Sequence, residues 1–396
     1  MGCSFSKSAD AQIPTNAPKQ DEESQGDCDG KDKDNLKERM ARLSQAGGGN
    51  ALKQLGSLAP ELKGEFSRRS LAKEAPPPPP FKLKVALDWT PNSNHAGMYV
   101  ALHEGLYAAE GLDVQILPPS AEYTMDETPA RSLVNGRADL CVCPSESMIS
   151  CLTSDKSAES LPLCVATLLQ QDSSAIACKA SLGITSPAQL SGRTYASYEG
   201  RFEMNIVNEL VKGEGVVETT PAKLQIFDKL LAGDDDAEAT WIFEAWEGIM
   251  AKRSGVALTS FPLKSSGVPY GYSPCLLASR ALCLEDGILS RFLSATEKGY
   301  QISVADPERA ADALLASNHP SLAPLGRDFL IESLTFLSEG QFFLDSASGQ
   351  WGRMDPQRWQ TFVSWLLEHR LVKRRGGEVV TALELDAERL YSNAFF

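Results

Sequence analysis

Cysteine pairs at metal or redox spacing are missing from this chain. None of its 9 cysteines forms a Cys-x-x-Cys pair, and the nearest approach, Cys141 and Cys143 in "CVC", is a poor metal signal. An odd, scattered set with no export signal ahead of it fits a reducing compartment rather than a disulfide framework. Cys141, Cys143, Cys164 and Cys178 are therefore expected as small core hydrophobes, and no metal ligand set is expected. No apolar run reaches the ~18 residues of a membrane span, and the first residues lack the apolar stretch of a secretory leader. Basic residues are in deficit, 38 Lys and Arg against 52 Asp and Glu, for a net charge of -14. A nucleic-acid footprint needs clustered cations, so a nucleic-acid partner is not expected. No short fixed period repeats, which excludes a solenoid.

What is present begins with "MGCSFSK". It fits the acylation pattern Met-Gly-x-x-x-Ser, with Gly2 as the site of a myristoyl chain and Cys3 beside it for a second, thioester-linked chain. One chain holds a membrane only marginally, and two hold it stably. A short chance match is the competing reading. Residues 8–33 are polar, acidic and poor in aliphatics, a composition that stays disordered. The polyproline run at 76–80 is a stiff, extended spacer. Residues 1–81 are thus expected as an acylated, disordered tail. They would attach the protein to the cytosolic face of a membrane in a eukaryotic cell.

The remaining residues alternate between strand and helix patterns. "KLKVALDW" reads as a buried strand. A helix is expected over 94–104, capped by Asn94 and stopped at Gly105. "LDVQILP" and "ADLCVC" follow as strands, and Ser145 is placed to cap the next helix. A second set opens with "LCVATLLQQ", "AIACKA", "TYASY", "KLQIFD" and "ATWIFEAW" as strands, and "SPCLLAS" returns before a run of helices. This order predicts α/β architecture with parallel sheets. Two doubly wound sheets, in two lobes joined by a two-strand hinge, are expected. Lobe 1 would hold 82–175 and 273–396, and lobe 2 would hold 176–272. Ligands in open α/β sheets sit outside the carboxyl ends of the strands, which here would face each other across a cleft.

"LDWTPNSNHAGMYVALHEGLYAAEGLDVQIL" and "LVNGRADLCVCPSESMI" resemble the type II periplasmic-binding-protein fold. Within it, the chain is similar to the SsuA and thiamine-pyrimidine-synthase branch, which holds bacterial pyrimidine-precursor-binding proteins and fungal-type thiamine pyrimidine synthases. "ATWIFEAWEGI" and "GQWGRMDPQRWQTFVSWLLEHRLV" extend the resemblance over 82–395, and the tail has no counterpart. The resemblance implies a flat aminopyrimidine, or its phosphate ester, clamped between the lobes.

The residues agree in kind. Trp89 offers a stacking face at the end of the first strand, or covers the sheet as a core residue. Asn92 can donate and accept at ring nitrogens. His95 is either a ligand contact or an oriented, hydrogen-bonded core histidine. Tyr198, Gly200 and Arg201 in "YEGRFEM" could cradle an anion at a helix start, although Glu199 and Glu203 oppose one. A plain surface loop is the alternative. Glu244 fits the paired donors of an aminopyrimidine, or makes a hinge salt bridge. Trp246 and Tyr272 are cleft walls or core. Ser145 and Ser147 would turn hydroxyls and helix N–H groups to the cleft.

The resembling synthases carry a lysine that forms a Schiff base with pyridoxal phosphate, a histidine four residues on, and a cysteine run linked to iron. Cys143 and Ser147 stand at the first two positions, and Cys275 stands alone at the third. Schiff-base chemistry needs an amine. The expectation is therefore a binder without catalytic residues or cofactor, and a small-molecule pyrimidine and a membrane as partners. A homodimer stays open. A pyrimidine-forming synthase using pyridoxal phosphate and iron, and a non-catalytic scaffold, are the alternatives.

Overall fold

The computed structural model describes residues 79–119, 128–153, 161–200, 202–374 and 376–396. The expected lipidation sites Gly2 and Cys3, and the candidate Arg201, lie outside the described residues.

The described chain runs β1 (Phe81–Ala86), α1 (Ala96–His103), α2 (Leu106–Ala109), β2 (Leu112–Leu117), α3 (Pro129–Val134), β3 (Leu140–Cys143), α4 (Ser145–Leu152) and β4 (Leu163–Thr167). It continues through β5 (Ser174–Lys179), β6 (Thr194–Ala196), α5 (Glu203–Val211), β7 (Val217–Thr219), α6 (Ile226–Ala232) and β8 (Ala239–Phe243). A π-helical turn, Glu244–Gly248, leads into α7 (Ile249–Arg253) and β9 (Leu258–Pro262). Then come β10 (Cys275–Ala278), α8 (Arg280–Leu284), α9 (Ile288–Ala305), α10 (Pro307–Leu315), α11 (Arg327–Glu339) and α12 (Pro356–Glu368).

Two five-stranded sheets result, ordered β2-β1-β3-β10-β4 and β7-β6-β8-β5-β9. Both are mixed rather than parallel. β10 runs antiparallel to β3 and β4, and β5 runs antiparallel to β8 and β9. These are the strands entered directly from the other sheet. A strand reached that way is free of the right-handed helical crossover that keeps β1, β2 and β3 parallel.

Local sequence explains most of the elements and corrects a few. In β1, Leu83 and Val85 are buried while Lys82 and Lys84 are exposed, the period of two that a strand requires. "KLQIFD" is helical instead, entering α6 through a single tight turn. Its Ile226, Phe227 and Leu230 are buried at helical spacing while Leu224 is exposed. Asn92, not Asn94, caps the turn after β1: its Oδ1 accepts from the Asn94 N–H at 2.9 Å. Ser145 is the first residue of α4 rather than its cap. The short strands β7 and β9 carried no alternating signal strong enough to be expected.

One apolar core fills the space between the first sheet and α1, α9 and α11, and a second lies on the opposite face under α12. Within the first, α1 and α9 touch backbone to backbone at Gly97 and Gly299. A Cβ on Gly299 would overlap the Gly97 carbonyl, and one on Gly97 would overlap the Tyr300 ring. Neither site can absorb a methyl group without separating two helices. Gly299→Ala is expected to cost about 3 kcal/mol, the upper end for overpacking. The check is the thermal midpoint; a wild-type melt would show that the helices yield.

Candidate interlobe binding cleft

The candidate residues gather at the carboxyl ends of β1, β3, β6 and β8, two strands from each sheet. Trp89 lies just beyond β1 and Tyr198 just beyond β6. They meet edge-on, with ring centroids 5.7 Å apart and planes at 85°. Each is half-buried. Edge-to-face geometry is one of the two arrangements aromatic pairs prefer.

The turn carrying Trp89 is pinned from behind. The Tyr300 hydroxyl donates to the Asn94 carbonyl at 2.7 Å, and the Tyr300 ring stacks on Trp351. The Ser93 and Ser333 hydroxyls are 2.7 Å apart, and Ser333 also donates to the Ala245 carbonyl. A hydroxyl has one proton, so Ser93 donates to Ser333. His95 is fully buried, with Nε2 2.9 Å from the Asp88 carboxylate. That partner places the proton on Nε2 and leaves Nδ1 buried without a partner. Asn92 spends its Oδ1 on the cap and its amide on the Thr90 carbonyl, 3.1 Å away. His95 and Asn92 thus shape the turn.

Carboxylates follow β3, β4 and β8. Glu146, at the start of α4, is buried and accepts from the Tyr270 hydroxyl and from Ser145 Oγ at 3.3 Å. Burial pushes its pKa up to about 7 against these hydrogen bonds, with nearby Asp172 adding to the rise. Asp172, on the crossing from β4 to β5, accepts from the Ser174 N–H and hydroxyl. Burial raises it to about 6; the charge of Glu244 adds to this and Arg358 opposes it. Glu247 accepts from the Phe243 N–H at 2.9 Å and is raised by burial to about 7. Glu244 is also raised by burial. Asp172, Glu244 and Glu247 are enclosed on most sides yet keep part of their surface open, as walls of a crevice do. Trp241 is half-buried and edge-on to Tyr270 at 5.4 Å. Ser173, between Asp172 and Ser174, keeps a buried hydroxyl without a partner.

The structure brings the Trp89 and Tyr198 rings together, and Ser145 and Glu244 follow the carboxyl ends of β3 and β8. Ser147 is half-buried one turn into α4. Trp246 turns away and packs edge-on against Phe329 of α11 at 4.9 Å. Tyr272 is buried under the Arg358 guanidinium, 4.0 Å from its ring centre, and accepts from the Asp355 N–H. The loop at 198–200 is already filled. Glu203 accepts from the Gly200 N–H at 2.8 Å, the Tyr198 N–H at 3.1 Å and the Tyr195 hydroxyl at 2.8 Å. Glu146, Asp172, Trp241, Glu247 and Tyr270 were missed, because nothing local marks a carboxylate as facing a cleft. The restriction of Glu146 to the turn after "CVCP" was the one available hint.

Cavity size alone points elsewhere. A groove of ≈ 780 Å³ follows the edge strand β2, and one of ≈ 230 Å³ lies beside Leu152 and Tyr391. Neither includes the residues above, which are assigned by position and chemistry.

A profile of the family described as "NMT1/THI5 like" matches residues 92–310. The chain is 28% identical over 296 residues to a formylaminopyrimidine-binding protein of Halalkalibacterium halodurans, covering 72% of this chain and 85% of that relative. It is 26% identical over 273 residues to a protein of Haemophilus influenzae described as a thiamine biosynthesis protein, covering 67% and 83%. In shape it resembles the periplasmic nitrate-binding protein NrtA of Synechocystis, with a TM-score of 0.59 at 11% identity over 80% of this chain and 87% of that one. Such neighbours are bacterial, periplasmic binding proteins. That finding corrects the setting expected from the amino-terminal motif, the cytosolic face of a eukaryotic membrane.

The raised carboxyls fix a sign for stability against pH. A carboxyl that holds its proton more tightly when folded stabilises the fold fully below its unfolded pKa. It loses that contribution as pH rises through the folded value. The ligand-free protein should therefore melt at progressively lower temperature between about pH 5 and pH 8, with Glu146 accounting for on the order of 3 kcal/mol. Glu146→Gln should flatten the slope. A melting temperature that climbs over this range would contradict the assignment.

Proposed function

The chain belongs to the NMT1/THI5 like family, and from that premise we propose that it binds a thiamine-related aminopyrimidine in the cleft between its lobes. The ligand is of the formylaminopyrimidine or hydroxymethylpyrimidine type. The observation that carries the reading is the Trp89–Tyr198 ring pair, with the Glu247 carboxylate close enough to Tyr198 to act on its hydroxyl. A flat ring packs against the indole, and its exocyclic amine and ring N–H donate to carboxylates. The similarity to a formylaminopyrimidine-binding protein along most of both chains supports the same ligand class.

Binding rather than catalysis is favoured by what ends β3. Cys143 is buried, and its thiol is raised well above the usual range by a hydrogen bond with Cys141 and by burial. It is a protonated thiol where a Schiff-base enzyme needs an amine. Closure of the lobes on the ligand is the working step. Membrane attachment is a further part of the proposal, carried by the motif at Gly2 and Cys3 alone. A Gly2→Ala protein that still partitions with membranes would remove it.

Calorimetric titration with hydroxymethyl-aminopyrimidine tests the ligand reading. Trp89→Ala should weaken binding by roughly 10- to 100-fold, the range of one lost stacking contact. Trp89→Phe should recover most of it, because a ring face is restored. Equal affinities for wild type and Trp89→Ala would mean that the ligand sits elsewhere.

A further inference from the structure

We propose that Arg358 is a positioning residue: its one guanidinium clasps both crossings between the sheets and makes them a single hinge. The proposal goes beyond the ligand reading and holds whatever the ligand is. What the hinge moves is the Trp89–Tyr198 contact, which joins one sheet to the other.

The chain passes between the sheets twice. It leaves β4 at Thr167 to enter β5 at Ser174, and leaves β9 at Pro262 to enter β10 at Cys275. Backbone hydrogen bonds join the two crossings at either end. Near the first sheet the Leu168 N–H donates to the Pro274 carbonyl at 2.9 Å, and near the second the Leu263 N–H donates to the Ser174 carbonyl at 3.3 Å. Between those ends stands Arg358 of α12. One of its N–H groups donates to the Gln170 carbonyl and another to the Gly271 carbonyl, one from each crossing. Its plane lies over the Tyr272 ring, 4.0 Å from the ring centre. A rigid planar fork can serve two carbonyls at once, whereas an ammonium is a point charge on a flexible stem.

Both crossings are seated where Arg358 grips them. A Cβ on Gly271 would lie 2.7 Å from the Phe362 ring and from Ser145 Oγ, so the second crossing runs tightly between α12 and the start of α4. The Ser145 N–H donates to the Tyr272 carbonyl at 2.9 Å, and the Asp355 N–H to the Tyr272 hydroxyl at 2.8 Å. On the first crossing, the Gln170 N–H donates to the Phe342 carbonyl at 2.6 Å and its side-chain amide to the Arg353 carbonyl at 2.9 Å. The crossings are thus fastened up to Gln170 in one and from Gly271 onward in the other. A change of lobe angle is left to the short stretches between those points and the second sheet, as hinges confine it to a few element-terminal residues.

The test uses the full chain without any ligand, so its failure leaves the pyrimidine reading untouched. Single-molecule energy transfer between dyes on unnatural amino acids at the exposed positions of Val217 in β7 and Leu284 in α8 reads the separation of the lobes. Arg358→Met keeps the apolar stem and loses the fork, and it should broaden the distance distribution. Arg358→Lys should fall between, because a lysine cannot hold both carbonyls in one plane. Hydrogen exchange supplies a second readout. In Arg358→Met the Leu168 and Leu263 amides should exchange at least roughly tenfold faster, the change expected for losing one hydrogen bond to a charged donor, while the amides of β1 keep their wild-type rates. A wild-type distribution with wild-type exchange in Arg358→Met overturns the proposal. Faster exchange throughout, β1 included, also overturns it, because it marks a fold weakened as a whole. If Arg358→Met fails to fold, Arg358→Lys carries the comparison, and wild-type behaviour of that variant in both readouts overturns the proposal.

Discussion

Everything proposed for this molecule depends on the approach of Trp89 to Tyr198, one ring from each sheet, at 5.7 Å. The contact is small, worth about 1 kcal/mol as an aromatic pair. Its importance is positional. It bridges the ends of two strands that belong to different sheets. The supports behind it are larger. Tyr300 holds the Asn94 carbonyl from α9, Ser333 holds Ser93 and the Ala245 carbonyl from α11, and Asp88 orients His95. A weak contact can define a site because the groups behind it are buried and paired. Buried polar groups have few alternative arrangements of equal energy.

The same supports tie the lobes together at one side. The π-helical turn after β8 belongs by sequence to the second sheet, yet Ala245 and Trp246 pack into the core beneath the first. Trp246 lies against Phe329, and Lys252 and Arg253 pair with Glu332 of α11. The ion pairs are exposed and contribute little. The buried aromatic contact and the Ser333 bridge contribute more. An opening motion would keep this side fixed and separate Trp89 from Tyr198, so the aromatic corner is the part of the cleft that moves.

The order of strands and helices was legible because each carries its own period: Leu83 and Val85 in β1, Phe362 and Leu366 in α12. Strand direction was not legible. An antiparallel β5 and a parallel one bury the same residues, and only the crossover decides between them. α6 was misread because Ile226 and Phe227 are adjacent and satisfy either period over a few residues. In the site, Trp89, Tyr198 and Glu244 were visible as strand-end residues. Trp246 and Tyr272 occupy similar positions but point into cores, and no local pattern separates an aromatic facing a cleft from one facing a helix. Glu146 and Glu247 were invisible for a related reason. A carboxylate three or four residues past a strand is usually solvated; here Glu146 is held by Tyr270, more than a hundred residues away in the chain, and Glu247 by the Phe243 N–H.

Glu203 shows how a single buried side chain can organise a loop. The loop at 198–203 has the strand, glycine and helix start of an anion site, and a reader of the sequence alone would count Glu203 as a mild electrostatic penalty against one. Geometry gives it a stronger role. Its two oxygens meet both N–H groups that an anion would use, and burial favours its protonated form without removing those hydrogen bonds.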